Sequence, residues 1–133
     1  MVFYGIISVG IGAMLGAWLR WGLTLLLNPI VAMLPLGTLT SNLVGGYLIG
    51  LVLGGVEHFQ ALSPEVRLFI TTGFLGGLTT FSTFSAETTS LLLRQEYAWA
   101  GAMICAHVVG SLLMTLLGVG TVALLRAAFA SQG

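Results

Sequence analysis

The sequence predicts an all-α integral membrane protein with four membrane-spanning helices in a single domain, residues 1–133. Of these residues 57% are hydrophobic and only 6% are charged, and the mean hydropathy is +1.07. A typical soluble domain carries about 25% charged residues, so this chain has too few charges to cover a soluble surface. Apolar segments of about 20 residues, the length that crosses a bilayer, use most of the chain.

The same composition excludes several classes of protein. An ordinary cytosolic enzyme would need more charged surface than this chain can supply. Four basic residues, balanced by four acidic ones, form no basic patch, so no nucleic-acid partner is expected. The single Cys105 cannot close an intrachain disulfide.

The first two spans are bounded by clear turn or charge signals. The first covers residues 3–27 and ends at Asn28-Pro29. It lacks the basic leading segment and the small-residue cleavage site of a signal peptide, so we expect a retained helix. The second covers residues 36–56. Small residues recur at every fourth position in both spans, which allows helix backbones to approach closely in a membrane.

The last two spans also have recognisable boundaries in the sequence. The third covers residues 66–93 and comes after Ser63 and Pro64, residue types that suit a helix N-cap and the first helical position. The fourth covers residues 98–125 and closes at Arg126.

The third span contains a polar segment at residues 73–85. Adjacent Gly76 and Gly77 weaken a helix through backbone entropy, and Thr79 and Thr80 compete for its hydrogen bonds. We therefore expect one crossing helix broken near the bilayer midplane, because a membrane tolerates exposed backbone only where it lines a cavity or meets an ion. A kinked but continuous helix, with hydroxyls bonded to their own backbone, is the alternative.

A break of this kind would expose carbonyl oxygens, which are ligands that a hard cation prefers. No carboxylate lies within residues 73–85, so a monovalent ion is the expected occupant. If two opposite chains meet at the break, carbonyls from both could converge on one ion.

Phe81 and Phe84 follow the break and share a helix face. Their neighbours Thr80, Ser82 and Thr83 suggest that this face is polar. A phenyl ring has a positive edge, which could attract a small anion without holding it too tightly for conduction. Ordinary packing against lipid or core is the alternative interpretation.

Other polar side chains are predicted at membrane depth, where they are costly and usually face a pathway or a partner. They are Arg20, Asn42, Glu87, His107, Ser111 and Thr115. The last three repeat every four residues and form one stripe, which interhelical hydrogen bonding would also explain. Asn42 could bind an anion or cap a broken backbone. Arg20 could extend to the membrane interface, or lend a positive field to an anion vestibule.

The arginines do not predict one orientation in the membrane. With four spans both termini share a side, and Arg67 and Arg126 fall on that side while Arg20 and Arg94 fall near the other. Copies could therefore insert both ways, and an opposite pair would have a two-fold axis in the membrane plane. A partner or one dominant helix that sets a single orientation is the alternative.

Three motifs link these features to a known family. They are Gly12-x-x-x-Gly16-Ala17-x-x-Arg20-Trp21, Gly37-Thr38-Leu39-x-x-Asn42-x-x-Gly45 and Gly73-Phe74-x-Gly76-Gly77-x-Thr79-Thr80-Phe81-Ser82-Thr83-Phe84. With these motifs the chain resembles, over essentially its whole length, the Fluc or CrcB family of small bacterial fluoride channels. The third motif is the most specific of them.

The resemblance implies a passive fluoride-selective channel, not an enzyme, that exports fluoride across the bacterial cytoplasmic membrane. It also implies an antiparallel, dual-topology homodimer with two pathways and a central sodium ion, held by the main-chain carbonyls of Gly76 and Thr79 of both chains. The pathway residues implied are Asn42, Phe81 and Phe84, with a polar track of Thr83, Glu87, His107, Ser111 and Thr115.

Two other functions remain open on the sequence. A small dual-topology, proton-coupled drug exporter would carry an essential carboxylate in its first helix, but the first span has none and Glu87 is the only candidate within the membrane. A haem-binding anchor subunit would need paired histidines at membrane depth, and only His107 is predicted there.

Overall fold

The computed structural model describes residues 1–131, so the last positions of the predicted domain, 132–133, lie outside the described residues. The described chain is helical and contains no strand, which confirms the all-α prediction for that part. Three helices are long and apolar enough to cross a membrane. They are α1 (Val2–Leu27), α2 (Leu36–Gly54) and α7 (Tyr97–Ala130).

Helix α1 ends where the sequence changes from an apolar run to Asn28-Pro29. The Asn28 amide donates to the Thr24 carbonyl as the last turn closes, and a short 3-10 turn, Asn28–Ile30, follows. The Asn28 side-chain Oδ1 then accepts a 2.8 Å hydrogen bond from the Gly37 amide. This bond ties the end of α1 to the start of α2.

Helices α2 and α7 pack through glycines that bring their backbones together. A Cβ atom on Gly50 would lie 3.0 Å from the Gly118 Cα atom and would overlap the Thr115 carbonyl. A Cβ on Gly46 would lie 2.9 Å from the Ser111 carbonyl oxygen. The spacing of small residues therefore sets the separation of α2 and α7 directly.

We expect Gly50→Ala to lower the free energy of unfolding by about 1–3 kcal/mol, because the added methyl group forces α2 away from α7. Gly120→Ala is the matched control, since a Cβ there meets nothing within 4 Å and alanine favours a helix by up to about 1 kcal/mol. Denaturant unfolding in detergent compares the two. Equal free energies of unfolding in the two variants would show that a Cβ at position 50 does not push α2 away from α7.

The third predicted span is the least regular part of the fold. Ser63 caps α4 (Pro64–Leu68) by accepting from the Val66 amide at 3.4 Å. A π-helix, Phe69–Leu75, and a short α5 (Gly76–Leu78) follow.

The chain then becomes extended at Thr79, with ψ 153°, and at Thr80, with φ −153° and ψ 117°. It resumes as α6 (Phe81–Leu93). The interruption therefore begins one residue after the paired glycines, and the depth of this break in a bilayer stays a prediction.

The π-helix was not expected from the sequence, because apolar spacing does not distinguish a π-turn from an α-turn. It packs on α1, and a Cβ on Gly73 would lie 3.0 Å from the Gly12 Cα atom and 2.9 Å from the Val9 carbonyl oxygen. The wider turn therefore sits where two backbones are in contact, and such turns are frequent at functional sites.

Several helix ends differ by a few residues from the approximate bounds that the sequence predicts. Helix α7 continues past residue 125 to Ala130, because the alanines after Arg126 favour a helix. Helix α2 ends at Gly54 instead of residue 56, and a separate short α3 (Val56–Gln60) follows Gly55. The third segment begins at Pro64 and the last helix at Tyr97, each slightly before the predicted start.

A small buried cluster holds α6 against α7. Its members are Phe84, Leu91, Ala100 and Met103, with Met33 and Leu34 packed alongside. Many large apolar side chains remain exposed along α1 and α7, and Leu26 and Leu124 are each 74% exposed. Large exposed apolar surfaces mark contact with lipid or with another chain.

Candidate functional site

A cavity of about 540 Å³ lies beside the interruption between α5 and α6. It lies between this interruption and the middle of helices α2 and α7. The predicted site residues that line it are Asn42, Gly76, Thr79, Phe81, Phe84, His107 and Ser111. The fold therefore brings together side chains from three separate segments of the sequence.

The side chain of Asn42, on α2, binds both backbone polar groups of Thr80 at the break. Its Oδ1 accepts from the Thr80 amide at 2.7 Å, and its Nδ2 donates to the Thr80 carbonyl at 3.0 Å. The Oδ1 thus replaces the helical acceptor that the Thr80 amide has lost, and the Nδ2 adds a second donor to the carbonyl with which α6 begins. Of the two roles expected for Asn42, the structure places it in the backbone-capping one.

Thr80 also starts the helix after the break. Its Oγ1 accepts from the Thr83 amide at 3.2 Å, as an N-cap does, and donates to the Thr83 Oγ1 at 3.0 Å. Thr80 belongs to the third sequence motif but is not among the predicted site residues. Its signal was the preference of threonine for the N-cap position.

Arg20 of α1 reaches the same break from the other side. Its Nε donates to the Gly77 carbonyl at 3.0 Å. An uninterrupted helix would supply that carbonyl with the Phe81 amide, so the guanidinium replaces a missing helical bond. Arg20 does not line the cavity, and its Nε contacts the protein backbone.

Gly76 and Thr79, the two residues whose carbonyls are predicted to hold a cation, both line the cavity. An α-helix would pair the Gly76 carbonyl with the Thr80 amide, but that amide donates to Asn42 instead. Such oxygens fit a hard cation, although one chain offers fewer of them than the six or so that a hard cation usually takes.

The two phenylalanines differ in their surroundings. Phe81 is 77% exposed, whereas Phe84 is 8% exposed and belongs to the buried cluster. Their ring centroids are 5.5 Å apart with an edge-to-face angle of 64°. Phe84 also lies against the His107 ring, with centroids 4.5 Å apart. One ring is therefore fixed by packing and the other projects from the chain.

His107 completes the group on α7. It is 4% exposed, and its Nδ1 lies 3.1 Å from the Asn42 Nδ2. Its Nε2 is buried and has no hydrogen-bond partner among residues 1–131.

Four predicted site residues lie outside the cavity lining: Arg20, Thr83, Glu87 and Thr115. The Thr115 hydroxyl is shared between the carbonyls of Gly46, at 3.0 Å, and Ser111, at 2.9 Å. It therefore joins α2 to α7, which agrees with the alternative of interhelical bonding for this end of the stripe.

Glu87 lies at a second, smaller cavity of about 360 Å³, which Ser90 and Arg94 also line. Its Oε1 accepts from the Thr38 hydroxyl at 2.7 Å, and its Oε2 is buried without a partner in the described chain. Thr38 is 1% exposed and belongs to the second sequence motif, from which no role was predicted for it. Only the packing of α2 on α6 shows that it bonds to Glu87.

Comparison with known proteins gives consistent results. A family model described as "CrcB-like protein, Camphor Resistance (CrcB)" matches residues 7–119. A protein of Nitrosospira multiformis named fluoride-specific ion channel FluC is 58% identical over 122 residues, covering 92% of this chain and 95% of the relative. Proteins of the same name from Cupriavidus necator and Nitrosomonas europaea are each 53% identical, covering 91% and 88% of this chain and 96% and 92% of their own lengths.

Proposed function

Because the chain belongs to the CrcB-like family, we propose that it is a passive, fluoride-selective channel that exports fluoride across the bacterial cytoplasmic membrane. Relatives covering nearly the whole chain carry the name fluoride-specific ion channel, and none of these names supports the drug exporter. A membrane potential that is negative inside favours anion exit by about 2.3 kcal/mol per 100 mV, so fluoride can leave without another energy source.

The observation that carries this proposal is the cavity at the helix break, because its lining offers weak partners for an anion. Phe81 and Phe84 supply ring edges, and His107 and Ser111 supply polar groups. No lysine, arginine or acidic side chain lines this cavity within residues 1–131. Weak partners let a small anion enter and leave, whereas a full positive charge in the lining would retain it.

Asn42 acts on the pathway through its neighbours in this proposal. Its Nδ2 has two hydrogens, one for the Thr80 carbonyl and one directed at the His107 Nδ1. Neither is free for fluoride in this arrangement. Asn42 therefore positions the break and the His107 ring, and the rings and other donors meet the ion.

The complete channel in our proposal is an antiparallel, dual-topology homodimer of four-span chains. Residues 64–93 form the broken third crossing, which at about 1.5 Å per helical residue is long enough for a hydrocarbon layer of about 30 Å. Phe81 is 77% exposed beside the cavity, so a second copy is needed to enclose the pathway. The even split of the arginines supports insertion in both directions.

A sodium ion at the centre of this dimer is the proposed structural cofactor. The carbonyls of Gly76 and Thr79 would hold it, and the second chain would supply the oxygens that one chain lacks. The freed Gly76 carbonyl is the observation that supports this site. When bound, the ion would supply fixed positive charge between the two breaks.

Fluoride efflux from proteoliposomes tests the proposed function. We expect the purified chain to release fluoride, read with a fluoride electrode, while chloride-loaded vesicles retain their anion. Glu87→Gln should preserve efflux, since a passive channel needs no proton-carrying carboxylate. Vesicles that retain fluoride would overturn the proposal, and loss of transport in Glu87→Gln would favour proton coupling.

A further inference from the structure

The contact between Asn42 and His107 indicates which ring nitrogen of the histidine carries the proton. Only the oxygen of the Asn42 side-chain amide can accept, so the atom at 2.7 Å from the Thr80 backbone amide must be Oδ1. Only the nitrogen of that side-chain amide can donate, so the atom at 3.0 Å from the Thr80 carbonyl must be Nδ2. The backbone of Thr80 thus fixes the orientation of the Asn42 amide by chemistry.

The Asn42 group that faces the histidine is therefore an NH2 donor. It lies 3.1 Å from the His107 Nδ1, a normal hydrogen-bond distance. Two donors cannot bond to each other, so Nδ1 must offer its lone pair. An imidazole that accepts at Nδ1 is neutral and carries its proton on Nε2.

We propose that Asn42 holds His107 as the neutral Nε2–H tautomer, and that this N–H is a hydrogen-bond donor to the permeating fluoride. The second half of this inference rests on the proposed channel function, and the first half does not. His107 is 4% exposed, and its Nε2 has no partner in the described chain. Buried polar groups in proteins are almost always bonded, so the unpaired Nε2 points to a partner outside the described chain.

A small anion is the ligand that this site fits. The His107 ring lines the cavity with Phe84, whose ring is stacked at 4.5 Å, and with Ser111 one helical turn further along α7. The Nε2 atom is closed to water-sized contact, so it can meet an ion only after small movements of its neighbours. Fluoride is a strong acceptor and small enough to need little displacement.

Asn42 is accordingly a positioning residue for His107. If the ring had the other tautomer, Nε2 would present a lone pair, which repels an anion. The backbone of Thr80 thus orients the Asn42 amide, and the Asn42 amide determines which ring nitrogen of His107, on α7, carries the proton.

The tautomer can be measured without any transport assay. In protein labelled with ¹⁵N-histidine and reconstituted in bilayers, solid-state NMR distinguishes protonated from unprotonated ring nitrogens. His58, exposed in α3, is the reference within the same molecule, and His58→Asn assigns the two sets of signals. We expect His107 to show a protonated Nε2 and an unprotonated Nδ1. A protonated Nδ1 would overturn the inference.

Fluoride contact is read in the same sample. Adding sodium fluoride should shift the His107 Nε2 signal well beyond any shift at Nδ1, and sodium chloride at the same concentration should not. The expected tautomer with an Nε2 signal insensitive to fluoride would overturn the donor role. Vesicles that retain fluoride despite the expected tautomer would count against the channel function instead, so the two failures are distinguishable.

A variant tests the role of Asn42. Asn42→Asp replaces the NH2 donor with a carboxylate oxygen while keeping an acceptor for the Thr80 amide, so the His107 proton should move to Nδ1. Asn28→Asp makes the same chemical change at the α1–α2 connection and should leave the His107 signals unchanged. Retention of the Nε2–H signal in folded Asn42→Asp would contradict the positioning role. If that variant does not fold, the spectrum of the unmodified protein still decides the tautomer.

Discussion

Phe81→Ile and Phe84→Ile are each expected to slow fluoride efflux by roughly two- to tenfold. Isoleucine keeps the apolar bulk of phenylalanine but removes the positive ring edge. Taking the edge contact to be as strong as one between two aromatic rings, about 0.5–1.5 kcal/mol, its loss corresponds to roughly two- to tenfold in rate. Initial efflux rates from proteoliposomes at matched protein content measure the effect.

The two variants should differ in stability, which separates permeation from folding. Phe81 is 77% exposed, so its replacement should leave the free energy of unfolding nearly unchanged. Phe84 packs with Leu91 and Met103, and its replacement should cost about 1 kcal/mol. Phe129→Ile, at a 72% exposed position near the end of α7, is the control and should conduct normally. Normal efflux in both site variants would rule out permeation along the rings.

Asn42→Ala is expected to abolish measurable efflux and to destabilise the chain. The change removes both side-chain bonds to Thr80 and the contact with His107. Each buried polar group left without a partner costs about 1–3 kcal/mol, so a loss of several kcal/mol is expected. Thermal unfolding in detergent gives the stability loss, and efflux per folded protein gives the functional one.

Asn28→Ala is the matched control for this prediction. Asn28 also links a side chain to the backbone of another segment, through one 2.8 Å bond to the Gly37 amide. Its loss should cost about 1 kcal/mol but leave efflux per folded protein intact, because the bond lies away from the cavity. Equal functional losses in both variants would mean that Asn42 contributes only stability.

Local composition was enough to predict the class of fold and the position of its irregular segment. Low charge and long apolar runs require helices in a membrane, because only internal hydrogen bonding satisfies a backbone in lipid. Paired glycines followed by threonines weaken a helix wherever they occur, so the interruption at Thr79 and Thr80 could be expected. The helix ends and the π-helix were less predictable, since both depend on small differences in backbone energy.

The roles of individual polar side chains depended on contacts between distant segments. Asn42 and Thr80, Arg20 and Gly77, and Thr38 and Glu87 are each bonded across a wide separation in sequence. A polar residue in an apolar span must find a partner, and the sequence shows that need without showing which partner meets it. Packing of the helices makes that choice.

The sequence by itself determined that this chain is helical and suited to a membrane, and it favoured an interruption within residues 73–85, because these properties follow from local hydropathy and backbone propensity. Only the tertiary structure decided that Asn42 caps the interruption, that Arg20 binds a freed carbonyl and that the His107 Nε2 is buried without a partner in residues 1–131. The reason is geometric: a hydrogen bond requires two atoms within about 3 Å, and only the packed helices fix that distance.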